Sequence, residues 1–270
     1  MRTVIHLSDL HFGRIDPTIV TPLLDFIHAT KPDLVAISGD LTQRARIPEF
    51  QSARRFLDAI PFPQIVVPGN HDVPFHNLFS RFLRKLDRYQ CFISANLEPF
   101  YCDSEIAVSG VNTARALTRK NGRINRQQLE KIRARFSNVP ATDVKIIVTH
   151  HPFDLPEGLS GEHVVGRARL AMRILAKSRV DLFLAGHFHV GATGRTTTRY
   201  PIESYSALIV SSGTSTSTRL RGQPNSLNVI QIDGAKVMIA RQTWRSERGV
   251  FDLFSTERFS RGENGWTRER

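Results

Sequence analysis

Seven residues of this 270-residue chain have types and spacing that could do chemistry: Asp9, His11, Asp40, Asn70, His150, His187 and His189. They offer oxygen and imidazole nitrogen and no thiolate. Such a set suits hard-to-borderline divalent cations such as Mn, Fe or Zn, not a closed cysteine zinc site. Seven donors are too many for one ion, whereas two ions sharing a bridging carboxylate would use them all. Paired metals about 3.5–4 Å apart are a common device for chemistry at phosphoryl oxygens. Taken singly, each piece is ordinary. Asp-x-His arises often by chance, a histidine at a strand end is usually structural, and Gly-Asp and Asn are frequent in turns.

What lifts the set above chance is the element that precedes each piece. Val4-Ile5-His6-Leu7-Ser8 leads into Asp9-Leu10-His11, and Leu34-Val35-Ala36-Ile37-Ser38 into Gly39-Asp40. Ile65-Val66-Val67-Pro68 delivers Gly69-Asn70-His71-Asp72, Lys145-Ile146-Ile147-Val148-Thr149 delivers His150-His151, and Leu182-Phe183-Leu184-Ala185 delivers Gly186-His187-Phe188-His189. Continuous apolar runs of this length predict strands buried on both faces, with helices near 17–30, 47–60, 75–88 and 163–179. Asn125 and Gln128 form a capping-box pattern before Leu129 and Ile132. After His189, strand composition returns at 204–212, 227–233 and 235–243, while 211–226 is rich in Ser, Thr and Gly and reads as a loop. Ligands of open α/β sheets gather beyond the carboxyl ends of strands, so the seven donors are expected to converge.

With 40% hydrophobic and 23% charged residues, the composition is that of a globular protein. One domain over 1–255 is expected, followed by a charged tail over 256–270. No apolar stretch approaches the ~18–20 residues of a membrane span. With a motif beginning at Asp9, no cleaved leader is expected. Cys91 and Cys102 read as two reduced thiols, and a cytoplasmic protein is expected.

Net charge is +12, and thirty of the 37 basic residues are arginine. Guanidinium favours planar capture of phosphate or carboxylate, although solubility and codon usage explain arginine enrichment equally well. Residues 115–135 carry a net +7, and Arg167, Arg169, Arg173, Lys177 and Arg179 follow without an acid. Arg169, Arg173 and Lys177 would share one helical face opposite Leu170, Ile174 and Leu175. A solvated face, contact with nucleic-acid backbone and attraction to an anionic membrane surface all remain open.

The series Asp9-x-His11, Gly39-Asp40, Gly69-Asn70-His71-Asp72, His150 and Gly186-His187-x-His189 resembles the calcineurin-like metallophosphoesterase superfamily over residues 9–189. The resemblance implies a four-layer αββα sandwich with two mixed β-sheets. It implies a first metal held by Asp9, His11 and His189, a second by Asn70, His150 and His187, and Asp40 bridging them. His151 would be an outer or packing residue. His71 would face the substrate phosphate, protonating the leaving oxygen or stabilising phosphoryl charge. Three residues beyond Asp40, where the family often holds this histidine with a carboxylate or Asn, stands Gln43, whose amide oxygen can accept a hydrogen bond. Asp72 could support His71 or simply form the turn.

Within the superfamily the chain looks most like the bacterial cyclic-nucleotide-phosphodiesterase branch, a resemblance to which Gly122-Arg-Ile-Asn-Arg-Gln-Gln-Leu129 contributes. It departs at Asn112 and Lys131, where that branch commonly has Asp and Trp. His71 replaces the Arg usual in enzymes that cleave UDP-diacylglucosamine. The expected activity is hydrolysis of a small anionic phosphodiester, such as a cyclic nucleotide, by a metal-bridging hydroxide. The alternatives are a nuclease, a phospholipid-headgroup phosphatase or pyrophosphatase, and a non-enzymatic interaction scaffold of the same fold.

Overall fold

The computed structural model describes residues 1–74, 86–115, 121–155 and 164–269. Its first sheet contains β1 (Arg2–Leu7), β2 (Leu34–Ile37), β3 (Gln64–Val66), β10 (Ser226–Asp233), β11 (Lys236–Arg245), β12 (Val250–Gly262) and β13 (Gly265–Arg268). Their order is β13-β12-β11-β10-β1-β2-β3. The second sheet contains β4 (Phe100–Cys102), β5 (Ile106–Gly110), β6 (Val144–Val148), β7 (Leu182–Ala185), β8 (Ala192–Arg195) and β9 (Leu208–Ser211), in the order β4-β5-β6-β7-β9-β8. β1, β2 and β3 run parallel, as do β5, β6, β7 and β9, while the remaining pairings are antiparallel. Both sheets are mixed.

Alternation along these strands explains the layering. Val4, Leu34, Ala36, Ile146, Val148, Leu182 and Leu184 meet in one core between the sheets. Their neighbours Ile5, Leu7, Val35 and Ile37 face a second core, with α1 (Pro17–Thr30), α2 (Ile47–Asp58) and α3 (Asp87–Phe92). Ile147 and Phe183 face a third, with α4 (Arg126–Ser137) and α5 (Ala168–Lys177). A strand apolar on both sides must be covered on both sides, and three cores between four layers satisfy that requirement. The result is the αββα sandwich.

Helix boundaries follow their caps. Asp16 Oδ1 accepts from Thr18 N at 3.0 Å ahead of Pro17, and Lys31 closes α1 with φ of 47°. The expected box opens α4: Gln128 N donates to Asn125 Oδ1 at 2.8 Å and Asn125 N to Gln128 Oε1 at 2.9 Å. Of the helix expected over 75–88, residues 75–85 lie outside the described residues.

Two expectations are corrected. The charged stretch 256–270 is not a tail: β12 and β13 run through it to Arg268. Phe259 and Trp266 turn inward, and Trp266 Nε1–H donates to Asp181 Oδ1 at 2.8 Å. Charges such as Arg258, Glu263 and Arg268 are exposed around these anchors, on a hairpin whose inward face holds Phe259 and Trp266. On α5 the core face is Ala171, Met172 and Leu175, whereas Leu170 is exposed. Arg169, Arg173 and Lys177 do sit together in solvent. Among the described residues no helix is long and apolar enough to cross a membrane, and Cys91 and Cys102 are both free thiols.

Candidate metal centre

Each candidate donor lies just beyond the carboxyl end of a strand. Asp9 and His11 follow β1, Asp40 follows β2, Asn70 and His71 follow β3, His150 follows β6, and His187 and His189 follow β7. The first three strands belong to one sheet and the last two to the other, so the donors face each other across one crevice. Asp9, His11, Asp40, His187 and His189 all adopt left-handed backbone conformations, with φ of 52°, 51°, 52°, 77° and 58°. For residues other than glycine this costs about 1–3 kcal/mol each, and it turns each side chain sharply out of its strand toward the crevice. The surrounding packing must hold that strain. Gly186 shows how close the fit is: a Cβ there would lie 1.7 Å from Ser8 Oγ and 2.4 Å from Asp9 Oδ2.

One oxygen of each carboxylate is tied to the protein and the other faces the crevice. Asp9 Oδ2 accepts from Ser8 Oγ at 2.7 Å and His187 N at 2.9 Å. Its Oδ1 is buried without a hydrogen bond, 3.2 Å from His189 Nε2 and 3.6 Å from His11 Nε2. Asp40 Oδ1 accepts from His71 N at 2.8 Å, which leaves Oδ2 3.7 Å from His11 Nε2 and 3.4 Å from His150 Nε2.

The histidines are oriented by backbone carbonyls, which can only accept. His150 Nδ1–H donates to Ser38 O at 2.8 Å, and His189 Nδ1–H to Arg219 O at 2.8 Å. Their Nε2 lone pairs therefore point inward, the usual arrangement of outer partners around metal-binding imidazoles. His189 Nε2 lies 3.2 Å from His11 Nε2, while His150 Nε2 lies 3.0 Å from Asn70 Oδ1 and 3.2 Å from His187 Nδ1. Inward-facing acceptors at such separations, beside an unsatisfied carboxylate oxygen, fit divalent cations. Asp9/His11/His189, Asp9/Asp40/His150 and His150/His151/His187 each form a group with donor atoms within 4.8 Å of one another. His151 thus lies closer to the centre than a packing role required, with Nδ1 2.8 Å from Thr113 Oγ1.

Electrostatics follow the same geometry. Burial opposes charge on Asp9 and Asp40, but the imidazoles around them prevail. His189, His11 and His150 hold Asp9 well below the carboxylate range, and His150, His71 and His11 hold Asp40 below it. Burial would lower His150, yet Asp40 and Asp9 push it up to about 9. Burial and the neighbouring His150 charge bring His187 down to about 3. Without metal, a proton on His150 supplies part of the positive charge the two carboxylates demand.

His71 departs from the expected arrangement. Its Nδ1–H donates to the backbone carbonyl of Gln43 at 2.7 Å, not to the side-chain amide, whose Oε1 is buried without a hydrogen bond. Asp72 is the structural anchor of the turn. It accepts from Gly69 N and Thr42 N at 2.9 Å and from Leu41 N at 3.2 Å, and burial together with the Asp40 charge pushes its carboxyl up to about 6.

The loop read over 211–226 was given no part in the site by the sequence, yet it reaches it. Thr214 Oγ1 donates to Asp9 O and Thr216 Oγ1 to Leu10 O, both at 2.6 Å, strapping down the turn after β1. Arg219 and Arg221, farther along, line the cavity beside Asn70, His71, His187 and His189. The available signal was the apolar run at 208–210. It forms β9, parallel to β7, so the loop after it opens at the same edge.

A four-layer sandwich with clustered carboxylate and imidazole donors at the strand ends defines the class of protein. Residues 2–191 match the calcineurin-like phosphoesterase family, and the chain belongs to it. It is 27% identical over 166 residues to a probable glycerophosphodiester phosphodiesterase GpdQ of Arcobacter nitrofigilis, covering 59% of this chain and 57% of that protein. It is 27% identical over 168 residues to the 3′,5′-cyclic adenosine monophosphate phosphodiesterase CpdA of Escherichia coli K12, covering 60% and 56%. The chain thus matches little more than half the length of either relative. Purple acid phosphatase PPD1 from yellow lupin shares the fold, with a TM-score of 0.72, 15% identity and coverage of 96% of this chain and 53% of that one.

Proposed function

We propose that the protein is a dinuclear metal-dependent phosphodiesterase acting in the cytoplasm on small phosphodiesters, with cyclic nucleotides and glycerophosphodiesters as first candidates. The observation that carries this reading is the position of Asp40 Oδ2, free of the backbone and between His11 Nε2 and His150 Nε2. Asp9, His11 and His189 would hold one divalent ion, Asn70, His150 and His187 the other, and Asp40 would serve both. Such ions supply Lewis acidity toward phosphoryl oxygens and an activated water. Mn, Fe and Zn all suit these donors.

The chain's own groups divide the remaining work. The carbonyls of Ser38 and Arg219 fix the rings of His150 and His189, and the His71 and His187 amides fix the two carboxylates. His71 presents Nε2 to the cavity, where it can pass a proton to the leaving oxygen or bind a phosphoryl oxygen. The names of the two relatives support a diester substrate. Charge in the 115–135 region is partly used within the fold: Arg135 binds Ser109 Oγ and Glu98 O, Lys131 pairs with Glu98 and Arg133 with Glu130. That favours a small ester over nucleic acid or a membrane surface. The intact donor set stands against a pure scaffold.

The test combines elemental analysis with a substrate panel in Mn²⁺: cyclic nucleotides, glycerophosphodiesters, bis(p-nitrophenyl) phosphate, phosphomonoesters, DNA and lipid phosphates. Two metal equivalents and preferential turnover of a small diester are expected. A protein that binds no metal, or that prefers DNA, overturns the reading.

A further inference from the structure

Arg219 stands out among the residues around the cavity. Its side chain is half-buried, with Nη1 3.0 Å from His71 Nε2 and 3.5 Å from His11 Nε2. Among the described residues no carboxylate lies within 4 Å of its guanidinium; Asp40 and Asp9 act on it only from across the site. The residue is also held in place. Its carbonyl accepts from His189 Nδ1, its N–H donates to Ser217 Oγ at 3.1 Å, and Gly191 N donates to Gln223 Oε1 at 2.8 Å in the same loop. A guanidinium on a fixed loop, partly removed from water and facing imidazole nitrogens, lacks the anionic partner that its fork of donors matches best. The cavity it lines is small, about 50 Å³, and its other lining residues include Asp40, Asn70, His71 and His189.

We propose that Arg219 is a substrate-binding residue whose guanidinium donates to the non-bridging oxygens of the phosphoryl group under attack. This rests on the phosphoesterase reading above and adds to it a specific ligand for the phosphate. A charged phosphoryl oxygen is a stronger acceptor than imidazole Nε2, so substrate replaces the contact with His71. Arg219 and His71 then hold the same group from one side. The loop that carries the guanidinium also orients His189 through a main-chain carbonyl, which no side-chain substitution at 219 removes. Because non-bridging oxygens are common to all diesters, the contribution of Arg219 is independent of the leaving group.

The experiment compares Mn²⁺-loaded parent protein with Arg219→Gln and Arg219→Lys, reading metal content, affinity for inorganic phosphate by calorimetry, and kcat/KM on aryl and alkyl diesters. Metal content is expected to be unchanged. Phosphate affinity should fall about tenfold or more in Arg219→Gln, as for a lost charged hydrogen bond. kcat/KM should fall about 10²-fold, equally on both ester types. Arg219→Lys should recover part of both losses, since ammonium keeps the charge without the planar fork. Unchanged phosphate affinity and kcat/KM in Arg219→Gln of an active enzyme would overturn the role of Arg219 alone. Loss of activity matched by loss of metal would reduce Arg219 to a structural support. A metal-loaded parent that hydrolyses no ester would overturn the phosphoesterase reading and this role with it.

Discussion

The backbone N–H of His71 donates to Asp40 Oδ1 at 2.8 Å, and that bond decides which oxygen of Asp40 faces the crevice. Oδ2 is left between the two imidazole groups. In Asp40→Asn the amide oxygen can keep the His71 bond, which puts an NH₂ where Oδ2 stood. A donor would then face the lone pairs of His11 and His150. Losing an outer partner of a metal ligand alone costs about 10–100-fold in metal affinity, so this change should cost at least that at both sites. His189→Ala should weaken mainly one. Elemental analysis and calorimetric metal titration check both variants; two full equivalents with normal turnover in Asp40→Asn would remove the bridging role.

Gly186→Ala tests how much of the site depends on close backbone approach. Its Cβ would meet Ser8 Oγ at 1.7 Å and Asp9 Oδ2 at 2.4 Å, so Asp9 must move or β7 must shift. Overpacking of this kind destabilises by about 1–3 kcal/mol. Urea unfolding should show that loss, and metal analysis should show a deficit in the group containing Asp9. A variant as stable and as well metallated as the parent would mean that the crevice yields more readily than its packing indicates.

The strands and the convergence of the seven candidate side chains were legible because both are encoded locally: an apolar run followed within a few residues by the group it delivers. What escaped is tertiary. β5 lacks a β-branched run, having Ala107, Ser109 and Gly110 among its residues, yet it is buried throughout. The charges of β12 and β13 hid two strands whose buried anchors are Phe259 and Trp266. Arg219 reaches His71 across 148 positions of chain, and no spacing rule covers a contact of that length. The holding group for His71 was sought among side chains and turned out to be a main-chain carbonyl, which every residue at position 43 would supply.

His6 gives the fold a pH dependence separate from the donors. It is fully buried in β1, with Nε2 2.9 Å from Ser38 Oγ and Nδ1 3.4 Å from Asn228 Nδ2. Burial lowers its pKa to about 3, against the smaller opposing charge of Asp9. The unfolded chain therefore binds the proton first as pH falls. The stabilisation is complete above about pH 6.5 and is lost between there and about pH 3, at roughly 1.4 kcal/mol per pH unit. Urea unfolding in chelator should show the difference between parent and His6→Gln shrinking by about 2 kcal/mol from pH 7 to pH 5. Parallel curves would show that His6 does not set the slope.

The exposed row on α5 is expected to play no part in small-ester chemistry. Replacing Arg169, Arg173 and Lys177 with alanine should leave kcat/KM on a cyclic nucleotide or bis(p-nitrophenyl) phosphate essentially unchanged. Any DNA affinity of the parent should weaken, and its salt dependence should flatten by about 0.9 log units per lost phosphate contact. A large fall in small-ester turnover would place α5 in the substrate path.

Under the proposed function, proton transfer by His71 is separable from metal binding by Asn70 within one turn. Asn70 presents Oδ1 to the His150 side of the crevice, whereas the ring of His71 has its Nδ1–H committed to Gln43 O. Any proton that His71 gives to substrate must leave from Nε2, the atom facing the cavity and Arg219. His71→Ala should keep the parent's metal content and lower kcat by about 10²–10⁴-fold, as for a lost general acid. The loss should depend on the leaving group: an alkyl diester needs the proton and should lose most, while a nitrophenyl diester departs as a stabilised anion and should lose little. This is the opposite of the uniform loss expected from Arg219→Gln, so the two variants measured on the same pair of esters distinguish acid from phosphate ligand. Equal losses on both esters in His71→Ala would assign His71 to the phosphoryl oxygens, and loss of a metal equivalent would make it a ligand.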